Sequence, residues 1–223
     1  MEEIKRRDFI KLGALTVSTV ASLTAISGVE VLSKAAQAKG EVLWGMVIDL
    51  TKCVRCGRCV RACHDRWFLP EDMFFNKMMK VRVGVREYEL PAACMHCRNP
   101  PCLYACPTGA TYKREDGIVE VDYSKCIGCK YCVAACPYLA RVPMLEDTRL
   151  IPKGVVAKCN FCADRIDTGS KPACVEACPF NARIFGNLKD PNSEISHVLW
   201  HSRQVITLKE ELGTQPTWYY ILG

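Results

Sequence analysis

Cys126-Ile127-Gly128-Cys129-Lys130-Tyr131-Cys132-Val133-Ala134-Ala135-Cys136-Pro137 carries four thiols at spacings of three, three and four residues. Two intervening residues let the chain curl around a corner of a small volume, so three cysteines of one curl can reach that volume from different sides. The fourth follows the third by four residues, and a helical turn sets two such side chains next to each other. From there the fourth can reach a different volume from its three predecessors. Pro137 then ends the turn, because proline disfavours helix at the residue before it.

Three further quartets surround this one, and no cysteine lies outside the four. They are Cys53-Cys56-Cys59-Cys63, Cys94-Cys97-Cys102-Cys106 and Cys159-Cys162-Cys174-Cys178. The first and third share an opening, Asp49-Leu50-Thr51-Lys52-Cys53 and Asp122-Tyr123-Ser124-Lys125-Cys126, each after a short apolar run (46–48 and 118–121). The second and fourth begin Cys-x-x-Cys, carry an insertion of variable length, and end Cys102-Leu103-Tyr104-Ala105-Cys106-Pro107 and Cys174-Val175-Glu176-Ala177-Cys178-Pro179. The order is therefore A-B-A-B, the self-similarity of a duplicated unit. Only the first quartet lacks the proline; His64 follows Cys63 as a replacement for the helix stop or as a residue that tunes the site.

Thiols in a C-x-x-C-x-x-C-x-x-x-C-P run are ligands of [4Fe–4S] clusters. Sixteen cysteines supply four such clusters with none left over, which predicts a carrier of single electrons. Disulfides are a poor reading, because a 25.0 kDa chain with 49% hydrophobic residues can build an ordinary core and needs no dense stapling. Zinc would accept paired C-x-x-C knuckles but explains neither the third cysteine of each curl nor the proline.

The nineteen residues between Cys106 and Cys126 contain the turn Glu115-Asp116-Gly117 and the strand-like run 118–121. That gap suits one compact two-cluster unit built from the second and third quartets. The first and fourth then pair from opposite ends of the sequence, enclosing it. Lys80-Val81-Arg82-Val83-Gly84-Val85-Arg86 alternates as one half-buried strand. Before it, Trp67, Phe68, Met73, Phe74, Phe75, Met78 and Met79 form either a satellite of the core or a docking surface. The stretch 137–158, with Pro143, Pro152 and Gly154, reads as an irregular strap. The tail ends in Trp218-Tyr219-Tyr220-Ile221-Leu222, to be packed on its own body or on a neighbour. His96 is a candidate neighbour of a cluster, and His197 and His201 stand four apart without a third ligand. There is no glycine-rich phosphate loop and no nucleophile–base motif, so no catalytic residue is expected.

Arg6-Arg7 stands before Phe9 and a diluted apolar run, 12–32, which is poor as a membrane span. This is a twin-arginine export signal, and Ala36-Gln37-Ala38 offers a cleavage site before Lys39; retention as an anchor is the alternative. The route carries folded cargo, as a chain wrapped around clusters requires. The expected location is periplasmic, on the outer face of the cytoplasmic membrane. Beyond residue 38 the chain has 25 basic against 20 acidic side chains. Four oxidised clusters at about −2 each outweigh that excess, so the basic balance does not imply nucleic acid. Lys52, Arg55, Arg58, Arg61, Arg98, Lys125, Lys130 and Lys158 are expected to offset cluster charge.

These quartets, their A-B-A-B order, the eleven residues between Cys162 and Cys174 and the twin-arginine leader resemble the four-cluster iron–sulfur subunits of the molybdopterin oxidoreductase family, such as those of dimethyl sulfoxide, polysulfide, thiosulfate and tetrathionate reductases. The resemblance implies an α+β fold of duplicated, nested bacterial two-cluster ferredoxin-like domains with loop-rich insertions. Its expected parts are a signal peptide (1–38) and a four-cluster body (39–223) with an inner unit (91–140), an outer unit (41–66 plus 155–188) and a tail (189–223). It also implies the ligand sets: Cys53, Cys56, Cys59 and Cys178; Cys63, Cys159, Cys162 and Cys174; Cys94, Cys97, Cys102 and Cys136; Cys106, Cys126, Cys129 and Cys132. The implied partners are an integral membrane quinone-reactive subunit and a catalytic molybdopterin subunit for sulfur or nitrogen compounds. The other reading is the iron–sulfur subunit of a sulfite-reduction-associated membrane complex without molybdenum.

Overall fold

A computed structural model describes residues 42–223 of the chain. The twin-arginine segment and its cleavage site lie outside the described residues. Strand β1 (Trp44–Asp49) is the centre of the largest sheet. Its residues from Met46 to Ile48 are fully buried on both faces, which is why it reads as a continuous apolar run. The chain continues through α1 (Arg58–Trp67), β2 (Lys77–Val83), β3 (Arg86–Ala92), α2 (Pro101–Tyr104), β4 (Thr111–Lys113), β5 (Val119–Val121), α3 (Tyr131–Ala135), β6 (Val142–Pro143) and β7 (Val156–Ala157). It ends with α4 (Ala163–Asp167), α5 (Ala173–Glu176), β8 (Arg183–Asn187), α6 (Glu194–His201), β9 (Val205–Ile206), a 3₁₀ turn (Glu210–Leu212) and β10 (Trp218–Ile221).

The main sheet has the order β8-β1-β10-β9. β8 runs antiparallel to β1 with Met46 opposite Phe185, and β10 runs parallel with Met46 opposite Trp218. A parallel pair needs a long crossover, and here nearly the whole described chain supplies it. The aromatic tail therefore packs on its own body. On one face Met46, Ile48, Trp218 and Tyr220 join the large core. On the other, Val47, Ile184 and Ile221 meet Ile195 of α6. Gly186 permits that approach, since a Cβ there would stand 2.9 Å from the Ile195 side chain. Each such buried aliphatic contributes about 1.5–3 kcal/mol.

Short helices carry the third cysteine of the quartets in their first turn. α2, α3 and α5 have 4, 5 and 4 residues. Cys136 closes α3 in an extended conformation with ψ 109°, as a residue before proline must. α1 has His64 in place of proline and runs for 10 residues. His64 Nε2 lies 3.0 Å from the Pro70 carbonyl oxygen, so the replacement lengthens the helix and ties its end to the next loop.

The expected strand 80–86 is two strands. β2 and β3 pair with Val83 opposite Arg86 around the two-residue turn Gly84-Val85. Gly84 has φ 59°, the positive value a tight hairpin asks of its first residue. A two-residue turn preserves the parity of the alternation, so period-2 reading runs straight through it. Of the apolar residues preceding the hairpin, Trp67, Met73 and Phe75 enter the core, while Phe68 and Phe74 are exposed. The strap 137–158 is pinned at its ends by the β6–β7 pair. Among the described residues no helix is long and apolar enough to cross a membrane.

Candidate cluster-binding site

The four Cys-x-x-Cys turns share a backbone conformation. The residue before the second cysteine is left-handed in every one: Arg55 at φ 59°, His96 at 41°, Gly128 at 68° and Phe161 at 58°. For a non-glycine residue this costs roughly 1–2 kcal/mol, so the packing around each turn must hold it there. Phe161 is 1% exposed and stacks on His96 at 3.8 Å between ring centroids, on Trp218 at 6.0 Å and edge-on to Phe185 at 5.3 Å. The A quartets also open alike. Asp49 accepts from the Thr51 N–H at 3.0 Å, and Asp122 from the Ser124 N–H at 3.0 Å. Lys52 and Lys125 pair with these aspartates at 3.2 and 3.1 Å.

The turns bring the predicted cysteines into four groups. One cavity is lined by Cys106, Cys126, Cys129 and Cys132. A second is lined by Cys53, Cys56, Cys59 and Cys178. A third is lined by Cys63, Cys159, Cys162 and Cys174. Cys97 lies within electrostatic reach of Cys94, Cys102 and Cys136. In each group the fourth cysteine of one quartet joins three from another. None of the sixteen thiols is in a disulfide. Among the described residues no three His, Cys, Asp or Glu side chains close on a point as a single metal ion requires. Thiols ringed around a volume instead of a point suit a polynuclear cluster; zinc needs its sulfurs about 2.3 Å from one centre.

The groups lie within electrostatic reach of one another in a row. Cys174 feels Cys59, Cys159 feels Cys94, and Cys132 feels Cys102. All eight cysteines of the two middle groups are buried, whereas Cys56 and Cys129 at the two ends are exposed. Burial is the main force on the inner thiols. It raises Cys63, Cys159 and Cys174, and pushes Cys97 up to about 12 and Cys162 to about 11, with neighbouring cysteines adding to the rise. Burial would also raise Cys106, but the Thr111 N–H at 3.4 Å and the Thr108 hydroxyl outweigh it and bring that thiol down to about 7.

Thiolates so deep need positive charge nearby. Two buried arginines supply it. Arg183, 4% exposed, lines two of the cavities, and its Nε and Nη1 have no hydrogen-bond partner. Arg141, also 4% exposed, donates to Cys102 Sγ at 3.0 Å and to Thr111 Oγ1 at 3.0 Å. A guanidinium buried without a carboxylate is costly unless another anion faces it. The cysteine sulfurs are the facing groups, and an anionic cluster held by them completes the pairing. The residues present therefore fit [4Fe–4S] clusters.

Neither arginine was among the cations singled out from sequence. A signal existed: Cys136-Pro137-Tyr138-Leu139-Ala140-Arg141 and Cys178-Pro179-Phe180-Asn181-Ala182-Arg183 share the pattern Cys-Pro-aromatic-x-Ala-Arg. Of the expected cations, Lys158 is buried and donates to the carbonyls of Val119 and Cys159. Arg55 donates to the Glu89 carbonyl at 3.3 Å and Arg61 pairs with Asp65 at 3.5 Å, both at the surface. His96 is fully buried and accepts from the Val119 N–H at 3.1 Å; burial keeps it neutral, with Lys158 and Arg141 adding to the effect. His197 and His201 stack on the exposed side of α6, where His201 Nδ1 meets the His197 carbonyl at 2.7 Å.

Fold and site together define an iron–sulfur electron carrier. Two models of the 4Fe-4S dicluster domain match the chain, over residues 52–110 and 85–188. A subunit of tetrathionate reductase from Salmonella typhimurium is 39% identical over 99% of this chain and 89% of its own length. A component of polysulfide reductase from Wolinella succinogenes is 38% identical over 80% of this chain and 93% of its own length. An Hdr-like menaquinol oxidoreductase iron–sulfur subunit of Archaeoglobus fulgidus is 35% identical over 97% of each chain. This protein belongs to the family its motifs resemble, the iron–sulfur electron-transfer subunits of the molybdopterin oxidoreductases. It carries electrons and is not the catalytic subunit.

Proposed function

We propose that the chain holds four [4Fe–4S] clusters in a row and passes single electrons along it between a membrane quinone-reactive subunit and a catalytic molybdopterin subunit. The observation that carries this reading is the order of the four thiol groups, with the inner two buried and one exposed cysteine at each end. The ligand sets are Cys53, Cys56, Cys59 and Cys178; then Cys63, Cys159, Cys162 and Cys174; then Cys94, Cys97, Cys102 and Cys136; then Cys106, Cys126, Cys129 and Cys132. The first two sets form an outer unit that encloses the inner unit formed by the last two. Support for this nesting is the pairing of β1, which precedes the first quartet, with β8, which follows the fourth.

When bound, the clusters supply one-electron storage. The chain's own part is to seat them, keep water from the inner pair and set the local charge. The exported location on the outer membrane face rests on Arg6-Arg7 and the run 12–32. The substrate class, sulfur compounds, rests on the tetrathionate and polysulfide reductase relatives. The second reading is the sulfite-reduction-associated membrane complex without molybdenum; the Archaeoglobus relative, named as a menaquinol oxidoreductase subunit, supports only the link to a quinol.

Anaerobically purified protein should contain about sixteen iron and as much acid-labile sulfide per chain. Zinc in their place, or iron for only two clusters, ends the four-cluster reading. The large subunit that co-purifies with the chain, assayed for molybdenum, separates the two functional readings.

A further inference from the structure

Three Cys-Pro turns of this chain have one shape. Gly109, Leu139 and Asn181, each three residues after a cysteine, are left-handed at φ 65°, 52° and 48°. Each donates its N–H to the carbonyl of that cysteine, at 3.4, 3.3 and 3.4 Å. A buried alanine follows in each, and then Thr111, Arg141 or Arg183. The turn thus throws the fifth residue after the cysteine inward. In two of the three copies that residue is arginine.

The two arginines sit alike. Arg141 lines the cavity of Cys106, Cys126, Cys129 and Cys132, and donates to Cys102 of the adjoining group. Arg183 lines both the cavity of Cys53, Cys56, Cys59 and Cys178 and that of Cys63, Cys159, Cys162 and Cys174. Each has one neutral oxygen as partner at 3.0 Å: Thr111 Oγ1 for Arg141 and Asn76 Oδ1 for Arg183. Thr111 is itself the fifth residue of the sister turn, so in the inner unit the two copies meet. The outer unit has His64 where that sister turn would begin, and Asn76 takes the place of the threonine. Among the described residues neither arginine has a carboxylate within ion-pair distance, although Arg66, Arg114 and Arg165 all do.

We propose that Arg141 and Arg183 are equivalent positioning residues of the duplicated units, each a buried cation shared by the two clusters it separates and each raising the reduction potentials of both. This rests on the four ligand sets given above. A fixed positive charge in a dry site favours the more negative, reduced form of whatever it faces, and charge and hydrogen bonds at the sulfurs set cluster potentials. Placed between two clusters, one cation shifts both in the same direction.

The test is a redox-poised EPR titration of the full cluster-loaded chain, with R183Q, R183K and R141Q beside the wild type and iron and sulfide counted on every sample. In R183Q two of the four midpoint potentials fall by at least tenfold in the reduction equilibrium, which is 59 mV for one electron, and the other two hold. R141Q moves the other pair. R183K keeps the charge and stays near wild type. Unmoved potentials at full iron content, an equal shift of all four, or a lysine variant as shifted as the glutamine variant each overturn the proposal. If R183Q fails to retain iron, R183K decides: retention at wild-type potentials supports the role of charge, and loss in both assigns the arginine to shape alone. Wild-type protein with iron for only two clusters would sink the four-cluster reading instead, which keeps the two failures apart.

Discussion

Gly128 and Gly57 offer a matched pair of perturbations. They occupy swapped positions in the two A quartets: Gly128 corresponds to Arg55, and Gly57 to Lys130. All four are left-handed, with Gly128 at φ 68°, Arg55 at 59°, Gly57 at 73° and Lys130 at 64°. The conformation by itself is therefore compatible with a long side chain. What differs is the space. A Cβ at Gly57 meets nothing within 4 Å, whereas one at Gly128 stands 2.0 Å from the Gly154 carbonyl oxygen of the strap. Gly57→Ala should cost about 1 kcal/mol, the left-handed penalty partly offset by a stiffer unfolded chain. Gly128→Ala adds an overlap with backbone that cannot rotate away, about 1–3 kcal/mol more. Relief requires the strap to move, and with it Val156, whose N–H faces Cys126 Sγ at 3.4 Å. Denaturant unfolding of the loaded protein, with iron counted on the same samples, tests this. G57A should keep its full iron, and G128A should lose about a quarter of it, one cluster of four. Equal loss of stability and of iron in the two variants would refute the reasoning.

Phe161→Ala removes a ring packed among His96, Phe185 and Trp218 and should cost about 3–5 kcal/mol in denaturant unfolding; an unchanged unfolding midpoint would show that the stack does not hold the left-handed turn. Asp49 is pushed up by burial, yet the Thr51 hydroxyl and Lys52 outweigh this and hold it below 3.8. Its contribution is thus present above that value and lost as pH falls through the lower folded value, so the stability gap between wild type and D49N should close in acid and stay constant from about pH 5 to 7. Ligand thiols must give up their protons to bind iron. With Cys97 near 12 and Cys162 near 11, reconstitution of the iron-free chain should release protons and weaken steadily as pH drops from about 9 to 6; uptake independent of pH contradicts this. Chelation of the iron should collapse the far-ultraviolet circular dichroism, because ligand thiols such as Cys63, Cys94, Cys97, Cys136, Cys159 and Cys174 lie within the large core; a native spectrum after chelation contradicts it.

The cluster chemistry was legible because cysteine spacing is a local property and thiols have few uses at that density. The quartets, the strand before each A quartet and the helical turn after each third cysteine all follow from short-range rules. What sequence did not yield depends on distant neighbours. Arg141 and Arg183 were not singled out, since the repeat that ends in each marks a shared turn but does not show that the side chain ends beside the cavities. The hairpin at Gly84-Val85 was hidden by a turn that keeps the alternation in phase. The left-handed state of His96 and Phe161 was likewise invisible, because each is held by the other across 65 positions of chain. Lys52 and Lys125 turned out to serve their own opening turns, where Asp49 and Asp122 bind them.

The placing of β1 between β8 and β10 bears on the order of events at the ribosome. The strand emerges first among the described elements, but its parallel neighbour is the last of them to appear. Until β10 leaves the exit tunnel, β1 has an open edge, and the cavity completed by Cys178 waits on a thiol made long after its other three. The thiols of that cavity are consequently gathered late, while the two groups drawn from Cys94 to Cys136 can assemble as soon as that segment is clear of the ribosome.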